Sequence, residues 1–398
     1  MGNPIQVIAD NVRLVASGRN WIEGDAIEQL KHVSRLPNMA EVVGLPDLHP
    51  GRGYPIGAAC LSPDTLYPAL VGNDIGCGMA LYATDAAARK VKHDKWEKAL
   101  RQKAFIDQAD WSDEGSRRLA DKVEQQGAGI EENMDGALLQ SCAHSFGTIG
   151  GGNHFAEFQS VKTIHDAALF EEQGLSRGIV YLLVHSGSRG LGQQILRGHV
   201  DQYGHAGLDA TTAAAAHYLS QHNLALRWAE VNRELIAARI CAALGLDARQ
   251  VLDINHNLVE PYTAAAQSGW LHRKGVTPAD QGMVMIPGSR GSASYLVQPL
   301  PSPLSLNSLA HGAGRKWVRA ECAGRLKSKY QLRELQRTAL GSRVICDDKA
   351  LMYEEAPEAY KSIDIVVSDL VDAGLCRLIA EFVPVMTYKT ADQERCCK

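Results

Sequence analysis

Four shortages in this 398-residue chain narrow its function before any motif is read. No run approaches the roughly 18 consecutive apolar residues of a membrane span, so no membrane-crossing helix is expected. Positive charge is not in excess: 41 Lys and Arg against 45 Asp and Glu give a net charge of −4 and a pI near 6.4. That balance excludes a basic protein that coats nucleic acid, while leaving room for a local arginine patch. The start M-G-N-P-I-Q has neither the basic and apolar stretches of a secretory leader nor the Ser/Thr of a myristoylation signal. The nine cysteines show no paired spacing, so a reducing compartment, the cytoplasm, is expected. Aromatics are also few, at 6%, whereas glycine is abundant at 37 residues, so loops carry much of the design. With 45% hydrophobic residues the chain can fill a substantial core.

The periodicities predict an alternation of strands and helices. Residues 23–34 read as a short helix and 40–45 as a strand entering P-D-L-H-P-G-R-G-Y-P-I-G. P-A-L-V (68–71) and M-A-L-Y-A-T (79–84) read as short strands flanking a tight loop. Residues 85–103 and 113–125 are charged and periodic, as helices with one solvated face are. G-I-V-Y-L-L-V (178–184) is the clearest buried strand, 213–244 a long Ala-rich helix or helix pair, and 249–255 a further strand. M-V-M-I (283–286) precedes a P-G-S turn, a helix is expected just after His311, and 364–381 reads as a last amphipathic helix. No linker, low-complexity tract or repeat divides the chain, so one domain over 1–398 is expected, with a helical excursion around 209–245.

Five residues of metal-binding type lie in glycine-rich turns at strand ends. Asp74 and Cys77 fall in V-G-N-D-I-G-C-G, His154 in G-T-I-G-G-G-N-H-F-A-E, His185 in V-H-S-G-S-R-G-L-G and His256 in D-I-N-H-N. A single loop Cys is usually an inert small hydrophobe, and a single His at a strand end is usually structural. The coincidence of five such residues in four turns favours a metal site. A mixed O, S and N set suits Zn, Mn, Fe or Co. His32, His93, His165, His199, His205, His217, His222 and His272 lie in helical or polar stretches and are assigned to structure. H-S-G-S-R-G-L-G and P-G-S-R-G-S-A-S-Y alternate Gly and Ser about an arginine, the composition of an anion nest. His311, followed by two glycines, Arg315 and Arg319, has the makings of a nucleophile toward phosphorus, a general base or a helix cap.

Taken in order from Val42 to Lys389, these segments resemble RtcB-type RNA ligases, together with E-E-A-P-E-A-Y-K and V-P-V-x-x-Y-K. The resemblance implies a compact α+β fold with mixed β-sheets, surrounding helices and a deep metal-containing cleft. It implies a ligase dependent on GTP and Mn²⁺ that joins an RNA 3′-phosphate or 2′,3′-cyclic phosphate to a 5′-hydroxyl. Asp74, Cys77, His154, His185 and His256 match the ligands of a two-manganese site, with Cys77 bridging. His311 matches the nucleophile that forms a guanylyl-histidine, and Asp47 a residue near the metals that assists proton transfer. Asn153, Glu157, Ser289, Ser294, Tyr360 and Lys389 match positions that hold the guanine nucleotide. Arg189, Arg315 and Arg319 match positions that hold phosphates of the RNA.

Three departures from the usual pattern fall on the pocket rim: Arg290 for Met, Trp317 and Val318 for Met and Ser, and Asn73 with Gly76 in the Cys77 loop. They fit a compact, divergent bacterial branch. Its expected substrates are broken tRNA or rRNA, in repair or tRNA splicing, with a monomeric enzyme and an activating or release-factor-like partner. Two other readings compete. A metal-dependent 2′,3′-cyclic phosphodiesterase would need the metal-binding residues but not His311. A non-catalytic RNA-binding repair component would call for a basic surface and eroded ligands, which the charge and the complete set oppose.

Overall fold

The computed structural model describes residues 4–102, 110–125, 136–264 and 267–390. The first three residues of the leader-type reading, residue 103 of the predicted 85–103 helix, and Cys396 and Cys397 lie outside them.

Two large sheets form the frame of an α+β fold. One has six strands in the spatial order Ile5–Ala9, Val12–Val15, Glu41–His49, Ile56–Ser62, Gln267–Lys274 and Asn257–Ala264. The other runs Ala248–Asn255, Gly78–Ala87, Ile179–Ser186, Phe155–Ile164, Cys376–Thr390, Ser294–Pro299 and Val284–Pro287, with Arg343–Cys346 alongside Cys376–Thr390. Each sheet is mixed: Val12–Val15 lies parallel to Glu41–His49, and Arg343–Cys346 parallel to Cys376–Thr390, among antiparallel neighbours.

The register of the second sheet gathers four candidate ligands at one end. Asn255 pairs with Gly78, Gly78 with Ser186, and His185 with Phe155. Cys77, His154, His185 and His256 therefore sit at or one residue beyond the same end of four adjacent strands. The chain passes from the second sheet to the first at His256, between Asn255 and Asn257.

The helix Ala213–Leu244 is a single element. The Thr212 side chain accepts a hydrogen bond from the Ala215 N–H at its start, and Gly245 closes it in the left-handed conformation. It is not an excursion: 18 of its 32 residues are buried, and Ile236, Ala237 and Ile240 pack with Ala80, Leu182 and Val184 of the second sheet. Helix formers alone do not distinguish a projecting helix from one pressed on a sheet.

Several expected elements differ. Pro68–Val71 is one turn of helix rather than a strand, because proline at its start fixes φ and gives up only an amide that a first turn leaves unpaired. Residues 85–87 complete the strand Gly78–Ala87, and the helix begins at His93. No helix starts directly after His311; it starts at Arg319, since Gly314 has φ +71° and lies against Asp47, where a Cβ would come 2.2 Å from the Asp47 carbonyl oxygen. The last predicted helix covers only Ile363–Asp372, and Gly374 (φ +71°) turns the chain into the strand Cys376–Thr390. Among the described residues, no helix is long and apolar enough to cross a membrane. The seven cysteines described are buried and free.

Candidate active site

Two overlapping donor triads meet at one sulfur. Cys77, His185 and His256 form one group, Asp74, Cys77 and His154 the other, and within each the donor atoms lie within 4.8 Å of one another. Cys77 Sγ is 3.3 Å from His154 Nε2 and 3.1 Å from His185 Nε2. His185 Nε2 lies 3.3 Å from His256 Nε2, and His154 Nε2 lies 2.9 Å from Asp74 Oδ2. Gly187 makes the second approach possible: a Cβ there would come 2.1 Å from Asp74 Oδ1.

The proton inventory shows what this arrangement suits. His154 donates Nδ1–H to the Ile149 carbonyl at 3.1 Å, which turns Nε2 toward a carboxylate and a sulfur. Burial holds His185 and His256 well below the usual histidine range, and neighbouring imidazoles push the same way. Their facing Nε2 atoms, 3.3 Å apart, aim two ring nitrogens at one point beside the Cys77 sulfur. The buried His256 Nδ1 also has no partner among the described residues. Acceptors converging on acceptors fit a bound cation, and a mixed O, S, N set suits a borderline divalent metal. The residues present therefore fit the two-ion expectation.

His311 stands beside this cluster, its ring centroid 4.7 Å from that of His256. It follows the strand Ser308–Ala310. Asp47 Oδ2 accepts both the His311 ring Nδ1–H at 2.7 Å and the backbone N–H at 3.2 Å. This fixes the tautomer and leaves Nε2 as the ring's lone-pair nitrogen. Asp47 is fully buried in a strand whose pairing shifts register between Gly44 and His49, where Pro46 interrupts the ladder. Lys361 braces that stretch by donating to the carbonyls of Pro46 at 3.3 Å and Leu48 at 2.5 Å. His49, to which the sequence reading gave no role, also lines the cleft. It donates Nδ1–H to the Asp47 carbonyl at 2.8 Å, and burial takes its pKa down to about 3.

His185 and His311 open onto a cleft of about 710 Å³ that Asn153, Glu157, Ser289, Tyr360 and Lys389 also line. Ser294 sits behind it: Gln159 Nε2 donates to Ser294 Oγ and to Glu157 Oε1, each at 2.8 Å. Thr387 donates to the other Glu157 oxygen at 2.5 Å. Arg315 and Arg319 line the same cleft and converge on Glu355, Arg315 at 3.1 Å. Tyr360 donates to Glu355, and Lys389 Nζ is 3.6 Å away. Burial opposes ionisation of Glu355, but the cations of Lys389, Arg319 and Arg315 outweigh it and hold its pKa down to about 2. Glu355 had no assigned role in the sequence; the signal was its place in E-E-A-P-E-A-Y-K beside Tyr360. Arg189 packs on Gly150 and reaches Thr148 Oγ1 at 3.4 Å, beside the His154 loop. Arg290 is buried and donates to the Met352 carbonyl at 2.8 Å, tying the P-G-S loop to the segment that carries Glu355. No structural consequence for the chemistry follows from Trp317 or Val318 at the rim.

Burial raises the Glu157 carboxyl from 4.5 to about 6, against the hydrogen bonds from Thr387 and Gln159. A raised folded-state pKa gives stability that is complete below the unfolded value and lost as pH rises through the folded one. Here the loss amounts to about 2 kcal/mol, between pH 4.5 and 6. Denaturant unfolding of the nucleotide-free protein should show wild type losing stability relative to Glu157→Gln across that window. A difference independent of pH would show that the Glu157 carboxyl titrates alike in the folded and unfolded chain.

Residues 29–390 match the family described as tRNA-splicing ligase RtcB. The chain belongs to the RtcB family. It is 50% identical to RNA-splicing ligase RtcB2 of Escherichia coli (strain ATCC 25922) over 98% of this chain and 99% of that protein. RNA-splicing ligase RtcB of Mycobacterium tuberculosis is 30% identical over 91% of this chain and all of that protein. tRNA-splicing ligase RtcB of Nanoarchaeum equitans is 29% identical, with 95% of each chain covered. Membership in RtcB agrees with the α+β fold and with a clustered set of His, Cys and Asp donors.

Proposed function

We propose that this protein is a GTP- and Mn²⁺-dependent ligase joining an RNA 3′-phosphate or 2′,3′-cyclic phosphate end to a 5′-hydroxyl. The observation that carries the reading is the Asp47–His311 pair, 2.7 Å apart, opening onto the cleft beside both donor triads. Asp47 holds the Nδ1 proton and His311 Nε2 attacks the α-phosphorus of GTP. An N–P bond forms, the bond to the bridging oxygen breaks and pyrophosphate leaves, giving the guanylyl-histidine. A cyclic phosphate is first opened by water to a 3′-phosphate and a 2′-hydroxyl; a 3′-phosphate oxygen then takes the guanylyl group as the N–P bond to His311 breaks, and the 5′-hydroxyl attacks the activated 3′-phosphate and displaces GMP.

Asp74, Cys77, His154, His185 and His256 would hold two Mn²⁺ ions, with Cys77 shared. Bound there, such ions supply Lewis-acid neutralisation of phosphate charge. Asn153, Glu157, Ser289, Tyr360 and Lys389 bind the guanine nucleotide, with Ser294 supporting Glu157 through Gln159. Arg189, Arg315 and Arg319 take RNA phosphates; for the last two, phosphate competes with Glu355. The substrates are broken tRNA or rRNA in tRNA splicing or RNA repair, and the names of the relatives support that class. A cytoplasmic monomer with an activating or release-factor-like partner completes the reading.

A phosphodiesterase would use the same donors but has no use for a buried carboxylate orienting His311, which favours the ligase. Incubation with α-labelled GTP and Mn²⁺, followed by denaturation, should leave acid-labile, alkali-stable label on the protein at His311. Opening of cyclic phosphate with no label under any metal would establish the phosphodiesterase instead.

A further inference from the structure

We propose that Asn232 and Arg233, neighbours on the long helix Ala213–Leu244, are positioning residues that set the spacing of the four metal-facing strand ends. The inference rests on the metal-binding role proposed above for Cys77, His154, His185 and His256.

Both residues are completely buried. Their backbone sits in mid-helix, so the side chains spend their polar groups on other elements. Arg233 Nη1 donates to the Gly76 carbonyl at 2.7 Å and to the Ser186 carbonyl at 2.9 Å. Its Nε reaches Asp253 Oδ1 and its Nη2 reaches Asn255 Oδ1, each at 2.8 Å. Gly76 precedes Cys77, Ser186 follows His185 and Asn255 precedes His256, so one rigid guanidinium touches the neighbour of three donors. Gly78 clears its path: a Cβ there would lie 2.9 Å from Arg233 Nη1.

Asn232 serves the fourth. Its Oδ1 accepts the Gly147 N–H at 2.7 Å, and its Nδ2 donates to Ser186 Oγ at 3.1 Å, Thr148 O at 3.2 Å and Gly187 O at 3.3 Å. Ser186 Oγ in turn donates to the Ile149 carbonyl at 2.9 Å, the same oxygen that takes the His154 Nδ1 proton. A relay thus runs from the helix to the His154 ring.

Burying a guanidinium for packing alone is a poor solution, because apolar side chains of similar volume pack as well without the desolvation cost. A planar fork with fixed donor directions instead imposes distances among its acceptors. Groups that orient ligands in this way typically change metal affinity by roughly 10–100-fold when removed.

The test compares wild type, Asn232→Ala and Arg233→Lys for apo-protein melting, Mn²⁺ titration and the electron paramagnetic resonance spectrum of the loaded protein. Arg233→Lys keeps the charge and loses the fork. The proposal expects folded variants whose Mn²⁺ affinity falls about 10–100-fold and whose exchange-coupled two-ion spectrum gives way to isolated-ion signals. Lower melting temperature with unchanged affinity and coupling would overturn it and leave both residues as packing. Should Arg233→Lys fail to fold, Asn232→Ala decides by the same two readouts. Wild type binding no Mn²⁺ would overturn the metal reading and the proposal with it, an outcome distinct from variants that bind as wild type does.

Discussion

His311→Ala is expected to take up no label from α-labelled GTP and to seal no RNA, a loss on the order of 10⁴-fold or more. The side chain is the nucleophile in the proposed reaction: its ring stands 4.7 Å from that of His256, with the ring proton already held at Nδ1. Asp47 does the holding, through two hydrogen bonds to one oxygen. Asp47→Asn should therefore fold, present a wrongly oriented or wrongly protonated ring, and lose about 10²–10⁴-fold in guanylylation. The pair of variants separates two explanations. If His311→Ala is inactive while Asp47→Asn is unimpaired, the carboxylate only supports the backbone. If His311→Ala still joins RNA through GTP, a different residue carries the guanylyl group and the proposed chemistry is wrong. Ligation begun from pre-activated RNA, bearing guanylate at its 3′ end, gives an independent check. That step does not require the nucleophile, so His311→Ala should retain it.

Cys77→Ala is expected to lose both metal ions, not one. The sulfur is the only donor common to the two triads, so each site drops to two protein ligands. His154→Ala, by comparison, removes a donor from one triad only and should leave the His185–His256 side occupied. Elemental analysis after dialysis against Mn²⁺ would read these outcomes as near zero and near one ion per chain. Equal losses in the two variants would mean that the ions bind cooperatively or that the sulfur is not shared. Cys77 is almost completely buried, and removing one sulfur there leaves a small void, so a folded variant is expected. Guanylylation should disappear with the metals, since no ion would then neutralise the phosphate charge at the donor triads, and Lys389, Arg315 and Arg319 are already engaged by Glu355.

The sequence made the ingredients of this site legible and left its scaffolding hidden, for identifiable reasons. Cys77, His154, His185 and His256 stood out because each is a metal-binding residue type in a turn at a strand end, the first three among glycines, and sheet register then brought those turns together. Long-range pairing of that kind leaves no local trace. Glu355 was passed over because a glutamate in a polar stretch ordinarily faces water; its burial follows from nearby Tyr360 and from three cations, Arg315, Arg319 and Lys389, that lie far from it in sequence. Asn232 and Arg233 were invisible for a similar reason, since polar residues within a helix normally mark its solvated face. The misread Cys376–Thr390 strand shows the converse limit. Only its first six residues, C-R-L-I-A-E, fell within the predicted helix; an apolar run that short is not told from a helix by periodicity, and Gly374 was the local sign of a break.

That last strand has a consequence for how the enzyme comes into being. Cys376–Thr390 runs between Phe155–Ile164 and Ser294–Pro299 and pairs with both, and it also carries Thr387 and Lys389 into the cleft. During synthesis on the ribosome, the strands that bear the metal donors are complete long before these residues exist. The second sheet stays in two unjoined parts until then, with pairing edges of Phe155–Ile164 and Ser294–Pro299 uncovered. Such edges invite association with other chains. A nascent chain could thus assemble its metal-facing strand ends early, while the nucleotide pocket closes only when the final strand slides into the gap.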